Sequence, residues 1–327
     1  MKLLITGGLG FIGSNFIINL LKNDNCEIIN IDAELSGSNH NNLNEIKNNK
    51  KYTFVKGNIS NKKFMEKQIE RCDIVINFAA ESHVDRSIND AYPFIKSNVH
   101  GTFTILDIIT KQRKKMIQIS TDEVFGSIKN GTANEKTKFN PSSPYASTKA
   151  AAELLINSYF VTHGSDVIIT RCTNNFGPRQ FMEKLIPKVI ILAQNNLPIP
   201  IYGNGNNIRD WLYVENHCDA INAVLKKGKS GESYNISANN EMNNITIVKK
   251  ILELMNKKFD LIEYVEDRPG HDFRYSMTSK KITKKTGWKP EISFEEGLEK
   301  TINWYLDNPH IIKNFSKNTI VDTPWKN

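Results

Sequence analysis

KLLITGGLGFIGSNFIINLLKN, residues 2–23, is the stretch whose reading decides the fold. Its first five residues, Lys2 to Thr6, are mostly apolar, as a strand covered on both faces requires. A GxxGxxG loop follows at Gly7, Gly10 and Gly13, and the apolar residues after it recur at helical spacing. Gly7 and Gly10 let the backbone turn tightly and approach a pyrophosphate. Gly13 lets helix and strand pack closely, and the helix N-terminus attracts phosphate charge. Such a loop alone also marks a plain tight turn, so the next strand matters. That run, EIINI at 27–31, ends at Asp32, whose carboxylate can accept from both hydroxyls of an adenosine ribose. It would repel the 2′-phosphate of NADP, and no Lys or Arg lies between 32 and 46 to hold that phosphate. NAD is the expected cofactor.

Outward from this unit the pattern repeats. YTFV (52–55), DIVINF (73–78), MIQIS (116–120) and DVIIT (166–170) are further apolar runs, with helical patterns at 11–23 and 97–112 among them. Repeated strand–helix units imply a doubly wound parallel α/β sheet of Rossmann type. After Arg171 the rhythm loosens. The stretch 174–210 is rich in Asn, Gly and Pro around a helical segment at 183–194, and 211–227 reads as a short strand and a helix. Beyond 236 a helix near 245–256, a strand near 261–265 and a last helix near 294–306 are expected. The division this suggests is an NAD-binding domain over 1–173, to which 211–236 returns. The residues 174–210 and 237–327 then form a smaller α/β substrate-binding region. No repeat or low-complexity linker separates the two, so they are expected to pack closely.

The 327 residues are 39% hydrophobic and 24% charged, the composition of an ordinary globular chain. Lys and Arg number 43 against 35 Asp and Glu, a net charge of +8. A positive cleft suits a phosphate-rich substrate and cofactor, but no basic run is interleaved with aromatics, so nucleic acid is not an expected partner. Cys26, Cys72, Cys172 and Cys218 are far apart and form no CxxC pair. They read as free thiols in a reducing compartment, with no metal site among them. The chain opens on a strand and no apolar run reaches the roughly 18 residues of a membrane span. A soluble, cytoplasmic protein without a membrane partner is expected.

Tyr145-Ala146-Ser147-Thr148-Lys149 places a tyrosine and a lysine one turn apart on a helix face, after the helix-start pattern Pro141-Ser142-Ser143-Pro144. The fifth strand ends in Ser120-Thr121-Asp122-Glu123, where sheets of this kind bind ligands. A phenol near pKa 10 is a poor base at neutral pH, and a neighbouring ammonium together with a cationic nicotinamide would favour its phenolate. Thr121 is placed to hold the same sugar hydroxyl.

These residues carry a resemblance. TGGLGFIGS, the Tyr-xxx-Lys pair and the strand pattern resemble extended short-chain dehydrogenases/reductases. NFAAESHVDRS, STDEVFG, TRCTNNFGPRQFMEKLIP, YGNGNNIRDWLYVENH and DRPGHDFRY are similar to the dTDP-glucose 4,6-dehydratase branch, and the similarity runs from residue 1 to about 306. The resemblance implies a lyase that recycles NAD, with Tyr145 and Lys149 at the C4 oxidation, Glu123 as base at C5 and Asp122 as acid at the 6-hydroxyl. It also implies cofactor contacts at Phe11, Ile12, Asp32, Asn58, Ile59, Ala79, Ala80, Ser97, Tyr145, Lys149 and Asn175. The nucleotide sugar, dTDP-glucose by this likeness, would meet Ser82, Thr121, Asn174, Lys184, Leu185, Arg209, Asn244, Asp267, Arg268 and His271. Arg209 suits a bidentate diphosphate contact, whereas His83 and His271 read as binding or structural groups. Three positions depart from the family pattern: Asn58 for the usual Asp, Phe125 for a common Tyr and Met182 for a frequent Pro.

Three other readings are weighed. A nucleotide-sugar 4-epimerase would share the NAD site, Tyr145 and Lys149 but needs no Asp122–Glu123 pair. An N-acetylhexosamine 4,6-dehydratase typically has Lys where Glu123 stands. A non-catalytic NAD sensor tends to lose the Tyr–Lys pair. The base of the nucleotide stays open, with UDP- and CDP-glucose as the alternatives. Helices near 97–112 and 145–162, the second carrying Ala146, Ala150, Ala151 and Ala152, suggest a homodimer built on a four-helix interface.

Overall fold

The computed structural model describes residues 1–309 and 311. The remainder of the C-terminal segment, which the sequence reading placed in the substrate region, lies outside the described residues. In chain order the strands are β1 (Lys2–Thr6), β2 (Glu27–Asp32), β3 (Tyr52–Lys56), β4 (Ile74–Asn77), β5 (Lys115–Thr121) and β6 (Val167–Cys172). They continue with β7 (Asn174–Phe176), β8 (Ile199–Tyr202), β9 (Ile208–Tyr213), β10 (Ser233–Ile236), β11 (Glu241–Asn243) and β12 (Ile262–Val265).

Seven of these form one sheet in the order β10-β6-β5-β4-β1-β2-β3, every pair parallel. The strands are apolar along their length because helices cover both faces. On one face Phe16, Ile17 and Leu20 of the helix Phe11–Asn23 pack with Ile221 and Val224 of the helix Val214–Lys227. On the other, Met65, Ile105, Ile109 and Ile156 pack against Leu4, Ile29 and Val75. Chain order reverses between β1 and β4, so the crevice at their carboxyl ends is where a sheet of this topology receives a ligand.

Two small sheets, β11-β9-β7 and β12-β8, surround a second core built on Phe176, Val189, Ile190, Ile251 and Tyr305. β9 joins the two cores by its period of two. Trp211 and Tyr213 enter the second core, while Leu212 and Val214 enter the first.

The helix expected over 97–112 takes a different form. Ile95–Gly101 is a π-helical stretch and the α-helix proper is Thr102–Gln112. A Cβ on Gly101 would stand 2.5 Å from Ile59 Cδ1, so this turn presses against the loop after β3. Wide turns of this kind recur at functional sites, and this one contains Ser97 and the buried Asn98.

Candidate active site

Gly7, Gly10, Phe11, Ile12 and Gly13 line one side of a long cleft at the reversal point. Nothing larger than glycine fits at Gly7 or Gly13. A Cβ on Gly7 (φ 71°) would lie 2.7 Å from Ala79 N, and one on Gly13 would lie 2.5 Å from Gly7 O. No side chain caps the helix that starts at Phe11, and its first turn holds no acidic residue, so its amides face the cleft ready for an anion. Asp32 is buried at the far end. Its Oδ2 accepts from Leu9 N (3.0 Å), and its Oδ1 accepts from Glu34 N (2.9 Å) and Ser38 Oγ (2.7 Å). Asn58, Ile59, Ala79, Ala80, Ser97, Tyr145, Lys149 and Asn175 line the same cleft, so every residue expected to meet the cofactor converges on it. An uncapped helix start, a backbone cradle closed to side chains and a fixed carboxylate together fit NAD. Asn58 spends its Oδ1 on Ser60 N at 2.9 Å, which turns its own loop.

The cleft ends at the reactive groups. Thr121 closes β5 and caps the short turn Asp122–Phe125; its Oγ1 accepts from Glu123 N (3.2 Å) and donates to Asp122 Oδ1 (3.2 Å). The turn leaves through Gly126, where a Cβ would sit 2.0 Å from Asn140 O. Opposite, the helix Pro144–His163 begins as its sequence suggests, with Ser143 Oγ accepting from Ala146 N (3.1 Å) and Pro144 in the first turn. Tyr145 N donates to Ser87 Oγ (3.1 Å), and Lys149 Nζ donates to Ile119 O (2.6 Å). Thr121, Asp122, Glu123, Tyr145 and Lys149 thus share one cavity wall.

Burial sets the protons here. It raises the Asp122 carboxyl well above the carboxylate range, and the charge of Glu123 reinforces this. Glu123 is also raised by burial, but the cations Arg268, Lys184 and Arg209 oppose the shift. The pair therefore separates, Asp122 holding a proton the more readily and Glu123 being the one whose charge the cations favour. The phenol of Tyr145 is buried at the same wall. Burial pushes its phenol well above 10, and the charge of Glu123 adds to this against a hydrogen bond from Thr121. The lysine that was to offset the shift is itself brought down to about 8 by burial, against Glu153 and Cys172.

A second cavity opens beyond Glu123, Asn174 and Lys184, which line both. Leu185, Arg209, Asn244, Arg268 and His271 line it. Ser82 lies in the first cavity, its carbonyl accepting from Lys184 Nζ at 3.0 Å. Asp267 lines neither cavity; its Oδ1 lies 2.6 Å from His271 Nδ1 and so orients that ring. Arg209 gives Nη1 to Ile208 O (2.7 Å) and Nη2 to Asp272 O (3.0 Å), leaving Nε and part of its fork for a ligand. Burial holds His83 down to about 3 and His271 to about 4, so both are neutral near pH 7. Asp85, Tyr202 and Tyr275 also line this cavity and were not singled out from sequence. Asp85 accepts from Arg268 Nη1 (2.8 Å) and Tyr202 Oη (3.1 Å). Asp85, Tyr202 and Tyr275 fall inside the quoted segments NFAAESHVDRS, YGNGNNIRDWLYVENH and DRPGHDFRY, a signal that was there for all three.

A sequence model described as GDP-mannose 4,6-dehydratase matches residues 4–301. The chain belongs to that family. Its relatives cover nearly all of it. The low-salt glycan biosynthesis protein Agl12 of Haloferax volcanii is 46% identical over 94% of this chain and 99% of its own. The dTDP-glucose 4,6-dehydratase of Bacillus anthracis, solved in complex with NAD, is 43% identical over 95% of this chain and 98% of its own, with a TM-score of 0.89. DesIV of Streptomyces venezuelae, a dTDP-glucose 4,6-dehydratase also solved with NAD bound, is 38% identical over 95% and 98%, with a TM-score of 0.93. Among the described residues no helix is long and apolar enough to cross a membrane, and no group of His, Cys, Asp and Glu could hold a metal ion.

Proposed function

We propose that the chain is an NAD-dependent dTDP-glucose 4,6-dehydratase, a lyase that releases water from the sugar to leave a 4-keto-6-deoxy product. The observation that carries this reading is the Asp122–Glu123 pair set beside Tyr145 and Lys149 where the two cavities meet. Bound NAD would supply a reversible two-electron exchange, taking hydride from C4 and returning it to C6. Tyr145, brought to its phenolate by the Lys149 ammonium and the cation of bound nicotinamide, would receive the C4 hydroxyl proton, with Thr121 holding the same hydroxyl. Glu123, the charged member of the pair, removes the C5 proton made acidic by the 4-ketone. Asp122, the protonated member, gives its proton to the 6-hydroxyl as it departs as water. Lys184, Arg209 and Arg268 bring positive charge to the second cavity, the place for the diphosphate.

An epimerase would use the same cofactor and Tyr145 but has no work for an acid–base pair directed at C5 and C6. Incubation with dTDP-, UDP- and CDP-glucose, followed by mass spectrometry, separates the readings. Loss of 18 mass units (about one water, the stoichiometry of any dehydration) is expected with dTDP-glucose first. A mass-neutral change at C4 would overturn the proposal, and water loss from UDP-glucose in preference would move the base.

The same reading carries two further parts. Four free, buried cysteines agree with a cytoplasmic enzyme. A homodimer is proposed on the helices Thr102–Gln112 and Pro144–His163. Ala146, Ala150 and Ala152 are buried within the subunit, and of the four alanines only Ala151 is partly exposed. Phe103, Phe160, Leu154 (60% exposed) and Val161 (81% exposed) are the apolar groups that these helices present outward.

A further inference from the structure

Tyr275 is 4% exposed and lines the second cavity together with Glu123. Its ring lies under Arg209, whose Cζ is 4.1 Å from the ring centroid. Its hydroxyl is 2.8 Å from Asp272 Oδ2 and 3.4 Å from Glu123 Oε2. Asp272 Oδ2 also accepts from Ser142 Oγ. A phenol has one proton to donate. The Asp272 contact takes it, because 2.8 Å is the length of a hydroxyl–carboxylate hydrogen bond and 3.4 Å is beyond it. Burial, reinforced by the charges of Glu123 and Asp272, keeps that proton on the phenol. What Tyr275 turns toward Glu123 is therefore a lone pair. Opposite a carboxylate this contact gains nothing; opposite a carboxylic acid it is a hydrogen bond.

We propose that Tyr275 is a positioning residue for the elimination step, its hydroxyl accepting a hydrogen bond from Glu123 once Glu123 has taken the C5 proton. The inference rests on the assignment of Glu123 as the base. In that step the C5–H bond breaks and its electron pair enters the enolate of the 4-ketone. The proton forms an O–H bond on Glu123, which then donates to Tyr275 Oη. Tyr275 neither gains nor loses a proton; it stabilises the protonated base. The other groups acting on Glu123 are Asp122 on its own turn, Tyr145 on the facing helix, Lys184, Arg209 and Arg268 as cations, and Asp272. The cations favour its charged form, so an uncharged acceptor is what the protonated form lacks.

Tyr275→Phe keeps the ring beneath Arg209 and removes only the hydroxyl. Given dTDP-glucose, the variant should reduce bound NAD within about twofold of the parent rate. Its incorporation of solvent deuterium at C5, and its loss of water, should slow by about tenfold, the worth of one hydrogen bond. The acidic limb of the exchange-versus-pH profile should move to lower pH, since the protonated form of Glu123 has lost a partner. Asp272→Asn can donate its amide to Tyr275 and so turn the hydroxyl toward Glu123 as a donor; the limb should move the same way. Parent-like exchange and an unmoved limb in both variants would overturn the proposal, as would loss of NAD reduction in Tyr275→Phe, which would make Tyr275 a binding group. Glu123→Gln run beside them separates the two ideas. If it exchanges C5 like the parent, the base assignment fails; if it stalls while Tyr275→Phe does not, only Tyr275 is misassigned.

Discussion

Asp122 and Glu123 are adjacent in the chain, yet different surroundings divide their protons. Asp122 is raised by burial and by its neighbour's charge, whereas three cations hold Glu123 closer to its charged form. This division predicts two different failures. Glu123→Gln keeps the shape of the site but cannot take the C5 proton, and a lost general base costs about 10²–10⁴-fold in rate. The variant should therefore accumulate NADH when given dTDP-glucose and incorporate little deuterium at C5. Tyr145→Phe should block the earlier step and leave the cofactor oxidised, which absorbance at the NADH band reads directly. Normal turnover by Glu123→Gln would show that the roles are wrongly shared out. Asp32 supports a third prediction. It accepts three hydrogen bonds from the loops around it, so Asp32→Ala removes both the proposed ribose partner and the fastening of the glycine loop at Leu9 N. NAD binding should weaken by about 1–3 kcal/mol and the preference over NADP should narrow, as calorimetry with both cofactors would show. Unchanged affinities for both would rule Asp32 out.

At the level of elements, the site is made where four parallel strands stop. β1 runs into the glycine loop, β4 into Ala79 and Ala80, β5 into Thr121–Glu123, and β6 into Thr173–Asn175. The helix Val214–Lys227 backs the last of these through His217, whose Nδ1 lies 3.0 Å from Asn175 Oδ1. His217 is fully buried, and burial alone lowers its pKa to about 3. The unfolded chain binds a proton there below about pH 6.5, while the folded chain does not until about pH 3. The contribution of His217 is thus complete above pH 6.5 and diminishes as pH falls, by up to about 1.4 kcal/mol per pH unit. Melting temperatures of the parent and His217→Gln measured from pH 7 down to pH 4 should converge on acidification. A constant gap between the two would argue that the imidazole is charged in the folded state.

For the whole molecule, the proposed homodimer would cover Phe103, Leu154 and Val161. Light scattering at micromolar protein should give twice the 37.2 kDa mass of the chain, and Leu154→Glu with Val161→Glu should return it to a monomer. A monomer mass for the parent would remove the proposal. The first six strands and the first helix were legible because a doubly covered sheet needs unbroken apolar runs, and the helix Phe11–Asn23 matches its expected span. β8 and β10 were not. IPIY carries a proline and SYNI alternates with polar residues, and both are strands only because a partner, β12 or β6, is brought alongside. The π-helical turn at Ile95–Gly101, which brings Gly101 close against Ile59, was not legible in the sequence either.

Sequence by itself determined the strand–glycine–helix unit, the carboxylate ending β2, the Tyr145–Lys149 spacing and the acid–base pair ending β5, because each depends on neighbours a few residues away. Tertiary structure decided what those groups are chemically. Asp85 meets Arg268, and Tyr275 meets Glu123, across well over a hundred residues of chain. The burial that raises Asp122 and Tyr145 and lowers Lys149 exists only once both cores have closed around the site. A proton's position depends on the dielectric and the charges within a few ångströms of it, and those are supplied by residues that the chain order keeps apart.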